Sequence, residues 1–100
     1  MKQIEQHINK LTDATELNRI GQQYANSGNY TVAMKAWLRA VSLGRKECRV
    51  NITNLLLSRY SPTNDENYRR AMELVKEWRR EGDKQVQEII DLHIELRTTQ

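Results

Sequence analysis

Residues 20–40 read IGQQYANSGNYTVAMKAWLRA, and this stretch decides the fold. A looser copy follows over residues 56–78, which read LLSRYSPTNDENYRRAMELVKEW. In both copies a tyrosine precedes a turn, and a second tyrosine, an alanine and a tryptophan come after it. The first tyrosines, Tyr24 and Tyr60, are 36 residues apart. Self-similarity at a period of a few tens of residues indicates supersecondary units that stack on one another.

The first copy has the residues of two closely packed helices. Gly21 and Ala33 are small enough to let two helix backbones approach, and Tyr24 and Trp37 fill the space beside them. This order of a large apolar residue, glycine, tyrosine, alanine and an aromatic residue resembles the tetratricopeptide repeat, a pair of antiparallel helices of about 34 residues. The resemblance implies an array of helix hairpins that binds another protein or a peptide.

The resemblance covers about residues 14–97, and the second copy departs from the first. Leu57 stands in place of Gly21, and Trp78 stands in place of Ala40, which implies a wider spacing between the helices. A third copy begins in the last helix. On this pattern the segments are an N-terminal helix at 1–12, a first repeat at 14–47, a divergent second repeat at 48–85 and a capping or half-repeat helix at 86–97.

Composition predicts a single all-α domain. One hundred residues suit one domain with a modest core. Apolar residues make up 38% and charged residues 29%, a balance that fits a thin two-layer helical array. One proline and four glycines leave little room for long irregular stretches. We therefore predict an all-α, antiparallel helix-hairpin array, a tetratricopeptide-like α-solenoid fragment of about five helices.

Local signals place the ends of these helices. A short amphipathic helix is predicted over 2–11, and Asp13 followed by Glu16 has the form of a capping box that starts the next helix. We predict a break at Thr12–Asp13, and one bent helix over 2–26 is the alternative. The remaining helices are predicted at about 30–43, at 48–60, from the end of the loop at 61–65 to about Glu81, and at 84–97. Gly28, Gly44 and Gly82 are the residues at which helices are expected to end.

Several function classes are disfavoured. Residues 1–20 lack the continuous apolar core of a signal peptide, and the apolar run at 55–57 is far too short to cross a membrane, so we expect a cytoplasmic protein. His7 and His93 are far apart, Cys48 is the single cysteine, and no glycine-rich phosphate loop is present. We expect no catalysis, no cofactor and no metal site.

The last helix is apolar nearly all round. Ile90 and Ile94 lie roughly opposite Ile89 and Leu92, and such a helix is normally covered on more than one side. One interpretation is that the N-terminal helix folds back over Ile90 and Ile94. The other is that these residues contact another chain, either a second copy that forms a homodimer or a different protein.

In tetratricopeptide arrays the first helix of each unit lines a concave groove. Here that surface would be rich in neutral amides, which can hydrogen-bond the backbone of a bound peptide. Asn18 takes the place of a lysine that clamps terminal carboxylates in the family, so carboxylate clamping is not expected; a plain solvated face is the alternative. The candidate partner-binding residues are Asn18, Gln22, Asn51, Asn54, Ser58, Ile90 and Ile94, with Thr15 at the edge.

Positive charge is concentrated in the middle of the chain. The formal net charge of the whole chain is +3, whereas residues 28–60 alone carry six basic residues against Glu47. Such a local excess of positive charge favours binding to an acidic protein surface or to a nucleic acid. We therefore expect a protein–protein interaction module, and a nucleic-acid-associated regulator that uses the positive segment 35–59 is the alternative. Its candidate basic patch is Lys35, Arg39, Arg45, Lys46 and Arg49.

Overall fold

The structure, a computed structural model, describes residues 2–58 and 66–98, with side chains for 3–58 and 66–95. All regular structure in these ranges is α-helical, which confirms the predicted fold class. The helices are α1 (Lys2–Lys10), α2 (Ala14–Asn26), α3 (Tyr30–Ser42), α4 (Cys48–Ser58), α5 (Glu66–Arg80) and α6 (Lys84–Thr98). The described ranges thus hold six helices rather than about five. The predicted end of α4 at Tyr60, the loop at 61–65 and the side chain of Leu96 lie outside the described residues.

Asp13 separates α1 from α2. Its backbone is extended, and its Oδ1 accepts hydrogen bonds from the backbone N–H of Thr15 at 2.9 Å and of Glu16 at 3.3 Å. These are the first N–H groups of α2, which have no partner inside the helix. The predicted break at Thr12–Asp13 is therefore confirmed, and the single bent helix over 2–26 is wrong. The Glu16 carboxylate accepts from the Arg19 guanidinium, and this hydrogen bond lowers the pKa of Glu16.

Glycines end the helices where the sequence predicts them. Gly28 has a φ of 85° and Gly82 a φ of 88°, in the left-handed region that disfavours residues with a side chain. After each glycine the next N–H turns back to the helix: Asn29 donates to the Tyr24 carbonyl at 2.8 Å, and Asp83 donates to the Trp78 carbonyl at 3.1 Å. These bonds close the turns that separate α2 from α3 and α5 from α6.

The chain divides into two compact units, Met1–Cys48 and Arg49–Gln100. In the first unit α3 packs against both α1 and α2. Its central position follows from its sequence, because apolar residues cover most of its circumference. Ala33 and Trp37, predicted to be buried, are 0% and 4% exposed. The buried residues that α1 and α2 place in this core are Ile8, Leu17, Ile20 and Gly21.

The second unit contains α5 and α6, which pack against each other, and all of α4 after Cys48. Trp78 and Val75 are buried on α5, and Val86 is fully buried on α6. Thr53 is a buried polar residue of α4, and its Oγ1 donates to the carbonyl of Arg49 at 2.8 Å, so the hydroxyl is satisfied within the helix. None of the helices in the two described ranges is long and apolar enough to cross a membrane.

Candidate interaction surfaces

The predicted groove residues of α2 are partly engaged inside the first unit. Asn18 is half-buried, and its Oδ1 accepts from the Cys48 thiol at 3.4 Å. Thr15 Oγ1 accepts from Arg45 Nη1 at 3.1 Å. Gln22 is exposed, and its Nε2 donates to Asn26 Oδ1 at 3.3 Å. The three predicted residues lie on one face of α2 at spacings of three and four, but Asn18 and Thr15 help to hold this unit together.

The predicted groove residues of α4 also share one helix face, in the second unit. Asn51 is half-buried, whereas Asn54 and Ser58 are exposed. The Ser58 hydroxyl donates to the Asn54 carbonyl within the helix. This row therefore offers the amide of Asn54 to solvent, with Asn51 drawn further in.

Helix α6 buries one side and leaves part of its apolar surface exposed. Val86 is fully buried, and Ile89, Ile90 and His93, which follow it by three, four and seven residues, are half-buried. Leu92 is 54% exposed, because it lies about 120° away from Val86 around the helix. Ile94 is 52% exposed. Leu92 and Ile94 lie on different sides of α6, so they do not form one continuous patch.

Three residues of the candidate basic patch belong to the first unit and have partners there. Arg39 Nε donates to the Leu11 carbonyl at 3.2 Å, just beyond the end of α1. Lys35 Nζ lies 4.0 Å from Glu5 Oε1 on α1. Arg45 bonds Thr15, as described above. These contacts join α3 and the turn after it to α1 and α2. The three basic side chains therefore stabilise the first unit.

Arg49, the patch residue of the second unit, is held on three sides. Its Nη1 lies 3.2 Å from Asp83 Oδ2 and 3.5 Å from Glu81 Oε2, and its guanidinium carbon is 5.0 Å from the centre of the Trp78 ring. The other oxygen of Asp83, Oδ1, accepts from the backbone N–H of Val86 at 3.1 Å. Arg49 thus connects the first turn of α4 to the turn between α5 and α6. Of the five patch residues, Lys46 is fully on the surface.

A basic depression that the sequence analysis did not single out lies within the second unit. It has a volume of about 490 Å³ and is lined by Lys76, Arg79 and Arg80 of α5 and by Gln87 of α6. Arg79 Nε donates to Gln87 Oε1 at 3.1 Å, and Gln87 Nε2 donates to Asp91 Oδ1 at 2.8 Å. The spacing of Lys76, Arg79 and Arg80 at three and four residues is the sequence signal from which this cluster could have been found.

Another depression lies near the start of α5 and has mixed charge. Its volume is about 390 Å³, and Glu66, Arg69, Arg70 and Glu73 line it. Two carboxylates beside two guanidinium groups leave this depression with little net charge. It therefore attracts anions less than the basic depression does.

Among the described residues there is no group of three or more His, Cys, Asp or Glu side chains that could hold a metal ion. Cys48 is a free thiol, and its burial raises its pKa, which is the opposite of what activates a cysteine nucleophile. Comparison with protein-family models, with curated proteins and with solved structures finds no match for this chain.

Proposed function

We propose that this chain is a non-enzymatic protein–protein interaction module that binds a partner peptide or helix through its C-terminal helix. The observation that carries the proposal is the exposure of Ile94, 52%, one turn after the half-buried Ile90. Covering the rest of an isoleucine side chain would contribute about 1 kcal/mol to binding. Two neighbouring isoleucines on one side of α6 therefore give a partner an apolar anchor.

The tetratricopeptide-like pattern supports the same function. The close approach of α2 and α3 at Gly21 and the turn at Gly28 are features that this pattern implies. Arrays of this type are scaffolds for binding, so an adaptor, a chaperone of one client or a regulatory subunit fits the proposal. The exposed amides of Gln22 and Asn54 are secondary candidates for contact with a partner backbone.

Nucleic-acid binding through segment 35–59 has less support, because Lys35, Arg39, Arg45 and Arg49 have partners within their own units. A fluorescence titration with duplex and single-stranded oligonucleotides at low salt separates the two proposals. Binding through phosphate contacts would fall by orders of magnitude between low and moderate salt. We expect no binding at either salt concentration; strong, salt-sensitive binding would favour the nucleic-acid alternative.

The experiment for the proposed function compares Ile94→Asp with a matched control, Leu43→Asp. Both side chains are exposed aliphatic residues, 52% and 37%, and Leu43 belongs to the first unit. Tagged wild type and both variants are incubated with native lysate, and the retained proteins are quantified. We expect Ile94→Asp to lose partners that Leu43→Asp keeps. If no protein is retained above the level of empty beads, or if both variants lose the same proteins, the proposal fails.

A second copy of the chain is one of the partners that the proposal allows. Sedimentation of the wild type and of the double variant Ile90→Asp, Ile94→Asp identifies this case. If the wild type is a dimer and the double variant is a monomer, α6 forms the contact between the two copies. A wild type that is already monomeric at high concentration leaves a different protein as the partner.

A further inference from the structure

We infer that the C-terminal unit recognises an amphipathic helix with acidic residues along one edge, docked along α5 and α6. Its carboxylates would lie over Lys76, Arg79 and Arg80, and its apolar face would cover Ile90 and Ile94. The inference rests on the proposed function, because it names the chemistry of the partner that α6 would bind.

The apolar and basic groups lie side by side within one unit. Gln87, which lines the basic depression, is followed three and seven residues later by Ile90 and Ile94. Residues at these spacings form one row along a helix, so the row leads from the depression to the two isoleucines. The α5 residues Lys76 and Arg79 border the depression from the other helix. The surface between α5 and α6 therefore has cations at one end and an apolar row that continues from them.

Arg79 is oriented towards α6 before any partner binds. Its Nε donates to Gln87 Oε1 at 3.1 Å, and Gln87 is itself held by Asp91 at 2.8 Å. A guanidinium carries five N–H donors, and this bond uses one of them. Because an arginine that is already positioned loses less conformational entropy on binding a carboxylate, Arg79 is suited to fix the register of an acidic partner.

The positive charge of this depression is local. Residues 49–100 contain nine basic and nine acidic residues, so the unit as a whole is neutral. On α5, Glu73 and Glu77 lie on a different face from Arg79, whereas both lie within about 60° of Arg80 around the helix, so Arg79 is the cation of the depression furthest from these carboxylates. A neutral unit with one basic depression offers short-range pairing with a few carboxylates rather than long-range attraction to a polyanion.

The neighbouring side chains favour a protein helix over other anionic partners. A phosphate backbone would gain nothing from Ile90 and Ile94. A helix with one apolar face and an acidic edge satisfies both the isoleucine row and the three cations, in the mode of helix-in-groove recognition.

The test uses the full ¹⁵N-labelled chain and NMR titration with two designed amphipathic peptides. Both peptides carry leucine at alternating spacings of three and four residues; one has glutamates along the edge of the apolar face, and the other has lysines at the same positions. We expect the glutamate peptide to shift the amide signals of Arg79, Gln87, Ile90 and Ile94. The lysine peptide should bind at least about tenfold more weakly.

Two double variants with the same change in charge show whether the basic depression is responsible. Lys76→Glu with Arg79→Glu reverses two of its cations. Arg70→Glu with Lys84→Glu reverses two exposed cations of the same unit that do not line this depression. We expect the first pair to weaken binding of the glutamate peptide by at least about tenfold and the second pair by less than about threefold.

Three results would overturn the inference: equal shifts with both peptides, equal losses in both double variants, or shifts of these amides only with phosphatidylserine vesicles or an oligonucleotide. Failure of the proposed function gives a different result. If Ile94→Asp removes a native partner but Lys76→Glu with Arg79→Glu leaves that partner bound, the interaction function stands and only the acidic-helix inference fails. If Ile94→Asp removes no partner, the proposed function fails as well.

Discussion

Gly21 of α2 lies so close to Trp37 of α3 that a Cβ atom at Gly21 would be 2.3 Å from Trp37 Nε1 and 2.6 Å from Cδ1. Real Cβ atoms are not found that close to another heavy atom, so only glycine fits this position without movement of the indole. The indole is 4% exposed and lies in the core, where it has little room to move. The pair fixes the distance between α2 and α3.

Gly21→Ala should therefore destabilise the first unit although alanine is the better helix former. Overpacking costs about 1–3 kcal/mol, and the gain in helix propensity offsets about 1 kcal/mol of it. We expect a net loss of up to about 2 kcal/mol in the free energy of unfolding, measured by urea denaturation with far-UV circular dichroism. The control Gln22→Ala, on the exposed side of the same helix, should stay within about 0.5 kcal/mol of wild type. If Gly21→Ala is as stable as Gln22→Ala, the close contact does not limit the packing.

Asp13→Ala should weaken the start of α2. The variant loses the acceptor for the N–H groups of Thr15 and Glu16, which costs about 1 kcal/mol and lowers the midpoint of thermal unfolding by about 5 °C. Asp13→Asn keeps a side-chain oxygen at the cap and should retain most of the stability. Thermal unfolding of both variants measures the difference. Equal midpoints for the two variants would show that the cap contributes nothing.

Arg49→Ala should destabilise the second unit more than Arg49→Lys does. Lysine keeps the charge for Asp83 and Glu81 but loses the planar group that lies over the Trp78 ring. We expect a loss of about 2 kcal/mol for alanine and about 1 kcal/mol for lysine, from the ion pair and the cation–π contact together. Urea denaturation followed by tryptophan fluorescence measures both. A lysine variant as stable as wild type would contradict a role for the planar contact.

Cys48 should react slowly with iodoacetamide in the native state and rapidly after unfolding in urea. Burial raises the pKa of the thiol, so the folded chain holds little of the reactive thiolate. The same shift has a consequence for stability: the folded state keeps the proton to a higher pH than the unfolded state does. The stability due to this group is thus complete below the ordinary pKa of a thiol and is lost as the pH rises above it.

Cys48→Ala is the control for this pH dependence. Above the ordinary range of a thiol pKa, the urea midpoint of the wild type should fall more steeply with pH than that of Cys48→Ala. Parallel curves for the two proteins would show that the thiol has the same pKa in the folded and unfolded chain.

The sequence predicted those features that depend on local chemistry. Asp13 and Gly28 act on backbone groups within a few residues, so their effects can be read from the residues around them. Gly21 and Trp37 are further apart, yet the pairing of small with large residues at helical spacing was enough to predict their packing. In each case one kind of residue has a geometric role that few others can fill.

Contacts between distant side chains could not be predicted in this way. Arg49 meets Asp83 only because of how α4 and the turn after α5 are placed, and the sequence alone presents both residues as surface charges. The exposure of Leu92 depends on the rotation of α6 about its axis, which a helical pattern with apolar residues on several sides does not fix. The basic depression depends on the same rotation, because it needs Gln87 to face α5.

The two oxygens of Asp83 serve different helices, since Oδ1 accepts from the start of α6 and Oδ2 binds Arg49 of α4. In evolutionary terms this makes residue 83 a position under two constraints at once. Asparagine would keep the cap and lose the charge, and glutamate would keep the charge and place it one bond too far for the cap. Replacement of Asp83 without loss of stability would therefore need a compensating change at Arg49 or in the first turn of α6.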